Sequence, residues 1–175
     1  MNIKEEESIF KPAILISYTV KRLKEISQDK LIGKTIIQKL LYILSRESIC
    51  DFEYSMYYYG PYSREVTSAL HFAEISEMLE ITWLPDKGYS IVPKSSKIKE
   101  FEHLLTKKEK EKIDDIVKKY SEFSATDLSL IATALYSRDK FEISEDRLAK
   151  SVHKLKDKYS ERYIEELLRK SRIIS

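Results

Sequence analysis

Residues 52–66 read FEYSMYYYGPYSREV, and how that run divides decides the fold. Phe52, Tyr54, Met56 and Tyr58 alternate with Glu53, Ser55 and Tyr57, the two-residue period of a half-buried strand. Tyr59-Gly60-Pro61 is read as its end, because glycine admits unusual backbone angles and proline has no N–H to give to a ladder. The period then changes. Val66, Ala69, Leu70 and Ala73 fall on one side of a helix expected over residues 63–79.

Toward the N-terminus, residues 36–44 read IIQKLLYIL, and Ile36, Ile37, Leu40, Leu41 and Leu44 form a helical stripe starting near Lys34. Earlier still, Pro12 suits the first turn of a helix reaching about Gln28, with Ile14, Leu15, Tyr18, Leu23 and Ile26 roughly on one face and Gly33 as the break. Downstream, residues 81–84 and 89–92 flank Pro85-Asp86-Lys87-Gly88, a turn signal that predicts a β-hairpin.

Beyond Pro93 the chain reads as helical. Thr106-x-x-Glu109 and Ser124-x-x-Asp127 each have the pattern of a capping box, and two further helices are expected over 144–158 and 160–172. The charged stretch 94–112 is the expected boundary. The sequence therefore predicts an α+β, mostly helical protein. A winged-helix-like N-terminal half over 10–93 (three helices, a short strand and a β-hairpin) precedes a C-terminal helical extension over 94–175, packed on it as one unit. In a winged helix the third helix enters a DNA major groove and the hairpin touches the backbone beside it.

With 175 residues, the chain is long enough for a core without disulfide or metal. Only three glycines and four prolines leave few breakers, which favours helices. One cysteine, Cys50, excludes an internal disulfide and points to a reducing, cytoplasmic setting, and no apolar run suits a membrane span. The 31 basic and 29 acidic residues nearly balance. Their distribution is uneven, however: residues 51–93 hold two basic residues (Arg64, Lys87) against seven acidic ones. An acidic third helix and hairpin oppose phosphate contacts.

Catalytic patterns are weak. Cys50 reads as a small buried thiol, and His71, His103 and His153 have no metal-ligand spacing. Gly33-Lys34-Thr35 has only the tail of a phosphate loop, and paired carboxylates are expected by chance on charged helices. The reading is of a protein that binds, with no cofactor, no metal and no enzymatic site.

IIQKLLYIL and YSMYYYGPYSREV together resemble the signature of the Panacea (SocA-like) antitoxin domains and the related YwgA-like proteins. The matching residues are Gln38, Lys39, Leu40 and Tyr42, then Tyr59, Gly60, Pro61, Tyr62 and Ser63. The likeness spans roughly residues 35–92, and the Tyr-Gly-Pro-Tyr-Ser continuation is more similar to the YwgA-like branch. The resemblance implies a non-enzymatic neutraliser or adaptor that binds a partner protein, with a toxin as one such partner, and sometimes a regulatory role on DNA.

Three sets of site residues follow. Gln38, Lys39, Tyr42, Tyr59, Gly60 and Pro61 are expected to cluster, Gln38 bonding the turn and Tyr42 beneath it. Tyr54, Tyr57, Tyr58 and Tyr62 are split between core and an aromatic contact patch for another protein. The alternative function is a sequence-specific DNA-binding regulator, using Ser63, Arg64, Thr67, Ser68 and His71 on the third helix. The apolar residues Tyr159, Tyr163, Ile164, Leu167, Leu168, Ile173 and Ile174 raise the expectation of a homodimer through the C-terminal helices.

Overall fold

A computed structural model describes residues 3–175. The elements run α1 (Ile3–Ile26), α2 (Lys34–Arg46), β1 (Ser55–Tyr57), β2 (Gly60–Tyr62), α3 (Arg64–Ile75), β3 (Leu79–Leu84) and β4 (Gly88–Pro93). They continue as α4 (Ser95–Phe101), a 3-10 turn (Glu102–Leu104), α5 (Lys107–Tyr120), α6 (Ala125–Phe141), α7 (Glu145–Leu155) and α8 (Glu161–Lys170). The class is α+β and mostly helical.

Three helices are enclosed on every side rather than on one stripe. Every residue from Ala13 to Val20 in α1, from Ile36 to Leu44 in α2 and from Leu128 to Leu135 in α6 is buried. A helix apolar all round belongs inside a protein. Helix α1 is packed by α3, α4, α5 and β4, while α2 lies between α5, α6 and β2. Two buried hydroxyls in these helices bond back to the preceding turn, Thr19 to the Leu15 carbonyl at 2.8 Å and Thr133 to the Ser129 carbonyl at 2.7 Å. One cluster of buried apolar residues runs from Ala13 to Ile173, across the join at 93/94.

Several boundaries differ from the expectation. Helix α1 starts before Pro12, which lies inside it, so the helix does without one N–H bond there. Gly33 is the extended N-cap residue of α2, with φ −99°. The single strand expected over 52–58 is instead a hairpin: Ser55 pairs with Tyr62, Met56 with Pro61 and Tyr57 with Gly60, around a two-residue turn at Tyr58-Tyr59. Gly60 has φ +93°, which lets the chain double back, and an edge strand tolerates Pro61. This hairpin forms a sheet separate from β3–β4. Helix α3 stops at Ile75, since Glu77 takes φ +59° and turns Leu79 into β3, opposite Pro93.

The Pro85-Asp86-Lys87-Gly88 turn closes the second hairpin with Gly88 at φ +85°. Both capping boxes form in full at Thr106/Glu109 and Ser124/Asp127. Ile164, Leu167, Leu168 and Ile173, which raised the expectation of a dimer, lie inside the fold, and Tyr163 remains 42% exposed.

Candidate binding site

The β1–β2 hairpin is held from below by two consecutive side chains of α2. The Gln38 amide pairs with both backbone groups of Ser63: its oxygen accepts from the Ser63 N–H at 3.0 Å and its nitrogen donates to the Ser63 carbonyl at 2.9 Å. The Gln38 nitrogen also reaches the Thr67 hydroxyl at 3.1 Å. Ser63 then caps α3, its hydroxyl accepting from the Val66 N–H at 3.3 Å. Lys39, 2% exposed, donates to the Pro61 carbonyl at 2.7 Å. Burial pushes the Lys39 ammonium down to about 8, and repulsion from Lys156 adds to that.

The hairpin also lies flush on α6. A Cβ at Gly60 would stand 2.7 Å from the Thr133 hydroxyl and 3.1 Å from the Ser129 carbonyl. Only a residue without a side chain allows so close an approach. Gln38, Lys39, Gly60 and Pro61 are therefore one spatial unit.

The structure brings together the other two family-motif residues less closely. The Tyr42 ring packs edge-on against Tyr54 at 5.1 Å and tilts on Tyr136 at 6.0 Å, so it lies under the chain leading into β1. Its hydroxyl points at Asp139, which Arg46 grips with two nitrogens at 2.5 and 3.1 Å. Burial, with Asp139 adding to it, raises the Tyr42 phenol above its usual range. Tyr59 stands in the exposed turn, edge-on to Tyr58 at 5.2 Å.

The tyrosines divide in the same way. Tyr54 is half-buried against Tyr42, whereas Tyr57, Tyr58 and Tyr59 are 66%, 80% and 63% exposed. Tyr62 is half-buried beside Tyr57, with its hydroxyl 2.7 Å from that of Thr67. On α3, Arg64, Thr67, Ser68 and His71 face solvent but Ser63 is buried in its capping role. Thr67 is engaged by Gln38 and Tyr62, and His71 lies 3.8 Å from Glu74.

Residues from the C-terminal third complete the surroundings. Lys156, in the connection between α7 and α8, donates to the Tyr58 carbonyl. A cleft of about 460 Å³ opens between the tyrosine turn, the first turns of α6 and this connection. Met56, Leu130 and Leu155 supply apolar lining, and Lys156, Lys158 and Tyr159 line it as well. Leu130, Leu155, Lys156 and Lys158 were not singled out from sequence, and Met56 and Tyr159 were read there in other roles. Ser129 and Thr133, small and four apart on a helix, carried a usable signal of close approach.

Among the described residues no helix is long and apolar enough to cross a membrane, and no group of three or more His, Cys, Asp or Glu is placed to hold a metal ion. No curated protein matches the chain. The profile of the antitoxin SocA-like Panacea domain matches residues 36–135. The match begins at the α2 stripe, takes in Gln38, Lys39, the tyrosine hairpin, α3 and the second hairpin, and ends within α6, well past residue 92. Because it covers more than half of the chain and contains the whole hairpin seat, this protein belongs to the antitoxin SocA-like Panacea domain family.

Proposed function

We propose that the chain is a non-enzymatic, winged-helix-like protein-interaction module with an antitoxin-like or regulatory role, and that it engages a partner protein through the tyrosine turn. Family membership supports the general role. The observation that carries the docking surface is the exposure of Tyr57, Tyr58 and Tyr59 (66%, 80% and 63%) on a backbone pinned by Gln38, Lys39 and the Gly60 contact. Tyrosine gives large contact area at low entropic cost, and a fixed backbone lowers that cost further. Residues 10–93 and 94–175 act here as one unit, because Lys156 reaches the turn from the second segment.

The test is affinity purification from the native cell, with protein and nucleic acid both identified, followed by reconstitution of the complex from purified components. The expected result is a stoichiometric protein that binds the wild-type chain and is lost when Tyr57, Tyr58 and Tyr59 are all replaced by Ser. Recovery of nucleic acid alone, with binding that weakens steeply as salt rises, overturns this reading in favour of DNA regulation through α3.

A further inference from the structure

Counted along the chain, the hairpin and α3 are acidic, with two basic residues against seven acidic ones over residues 51–93. In space the tyrosine cleft has the opposite character. Lys156 and Lys158 stand on its rim with one acid, Asp157, between them in sequence. Lys39 is buried behind β2, where its ammonium donates to the Pro61 carbonyl. Lys156 and Lys158 repel one another, and Lys156 in turn repels Lys39. Ala125 and Thr126, in the first turn of α6, also line the cleft; Asp127 already meets that helix end by accepting from the Ser124 N–H and the Tyr163 hydroxyl, so the cleft's positive charge comes from the lysines. Apart from Thr35 and Ser129 the remaining lining is apolar or aromatic, and the volume suits a few side chains.

We infer that this cleft binds a short acidic segment of the partner protein, in which an aromatic or aliphatic side chain enters between Tyr58, Tyr159 and Leu155 while an adjacent carboxylate meets Lys156 and Lys158. The inference rests on the protein-docking reading and names the chemistry of the partner's contact. A peptide carboxylate fits better than nucleic acid. One or two carboxylates are matched by the two lysines, whereas a phosphate chain of several charges meets no further basic residue in the cleft lining. The apolar residue supplies contact area and the carboxylate gives orientation and steering.

The experiment selects from a displayed library of random linear peptides on the immobilised full chain, in parallel with the Lys158→Glu and Lys156→Glu variants. Lys158 is exposed, so Lys158→Glu tips the charge without disturbing the fold, and thermal unfolding checks both variants. The expected wild-type pool pairs Asp or Glu with an aromatic or aliphatic residue. A synthetic peptide from that pool binds about tenfold or more weakly to each variant, and the Lys156→Glu pool turns basic. A wild-type pool without acidic preference, no enrichment at all, or equal binding to Lys158→Glu overturns the inference. If the partner recovered from the native cell binds both variants as tightly as wild type, the cleft assignment falls while the protein-docking reading stands. If the native preparation yields nucleic acid alone, the docking reading itself falls.

Discussion

The Lys39 ammonium donates to the Pro61 carbonyl at 2.7 Å, joining the middle of α2 to the centre of β2 inside the protein and with no carboxylate to balance its charge. A buried cation held by one neutral acceptor is expensive, and its cost depends on pH. Burial, assisted by Lys156, lowers Lys39 from 10.5 to about 8 in the folded state. Below that value both folded and unfolded chains carry the proton and the full cost is felt. Between about 8 and 10.5 the unfolded chain keeps the proton while the folded chain sheds it, so stability rises with pH.

Wild type is therefore expected to gain on the order of 2 kcal/mol relative to Lys39→Met between neutral pH and about pH 10. Denaturant unfolding of both proteins across that range measures it. Taking the difference between the two also removes the tyrosines, which work the other way: Tyr42 and Tyr54 are raised by burial and penalise the fold once the unfolded phenols ionise. Parallel curves for wild type and variant would show that Lys39 keeps its proton throughout.

Gly60 and Gly88 both have positive φ, +93° and +85°, but only Gly60 has neighbours where a Cβ would go. Gly88→Ala meets nothing within 4 Å and should cost about 1 kcal/mol of backbone strain. Gly60→Ala adds a collision with Thr133 and Ser129, and should cost about 3 kcal/mol or more, lifting the hairpin from α6. Adding Thr133→Ala should recover part of the loss, because it removes the nearest atom and leaves the strain. Thermal melts of the four proteins decide this; equal losses for the two glycines would mean that α6 gives way.

How much of this was legible follows from the range over which each signal acts. Capping boxes at Thr106 and Ser124 were readable because four residues contain the whole interaction. Alternation was readable from Phe52 to Met56, where Phe52, Tyr54 and Met56 are half-buried and Glu53 and Ser55 exposed. The hairpin was not, because Tyr58-Tyr59 has no turn residue and Gly60-Pro61 reads as a stop. The stripe on α2 located the helix but understated its burial, since a second neighbour on the other side leaves no periodic mark when it packs Gln38 and Lys39. Charge counted along the chain describes the segment and not the cleft, because the lysine beside Tyr58 comes from 98 residues away.

Gln38 replaces a missing backbone neighbour for Ser63, accepting from its N–H and donating to its carbonyl. Gln38→Glu keeps the shape and loses the donor, setting a carboxylate against the Ser63 carbonyl in a buried site. Its expected cost is about 3 kcal/mol, against about 2 for Gln38→Leu, which leaves the Ser63 N–H unpaired and its carbonyl to the longer bonds from Thr67, without adding charge. Urea unfolding at neutral pH ranks them, and repeating it at acidic pH should narrow the gap as the new carboxyl takes a proton and donates again. A Gln38→Glu variant as stable as wild type would mean that Ser63 is satisfied in another way.

The exposed and the half-buried tyrosines should separate stability from binding. Replacing Tyr57, Tyr58 or Tyr59 by Ser removes rings that are 66%, 80% and 63% exposed, so each should change unfolding free energy by no more than about 0.5 kcal/mol. Tyr42→Ser removes a ring packed between Tyr54 and Tyr136 and should cost about 3 kcal/mol or more. In partner binding by the folded proteins the order should invert. Tyr58→Ser is expected to weaken the complex most, by about 2 kcal/mol, because Tyr58 is the most exposed ring and its carbonyl is held by Lys156. Melting temperatures paired with calorimetric titration of the reconstituted complex provide both columns. If Tyr58→Ser melts early and binds normally, the ring belongs to the fold and the docking surface lies elsewhere.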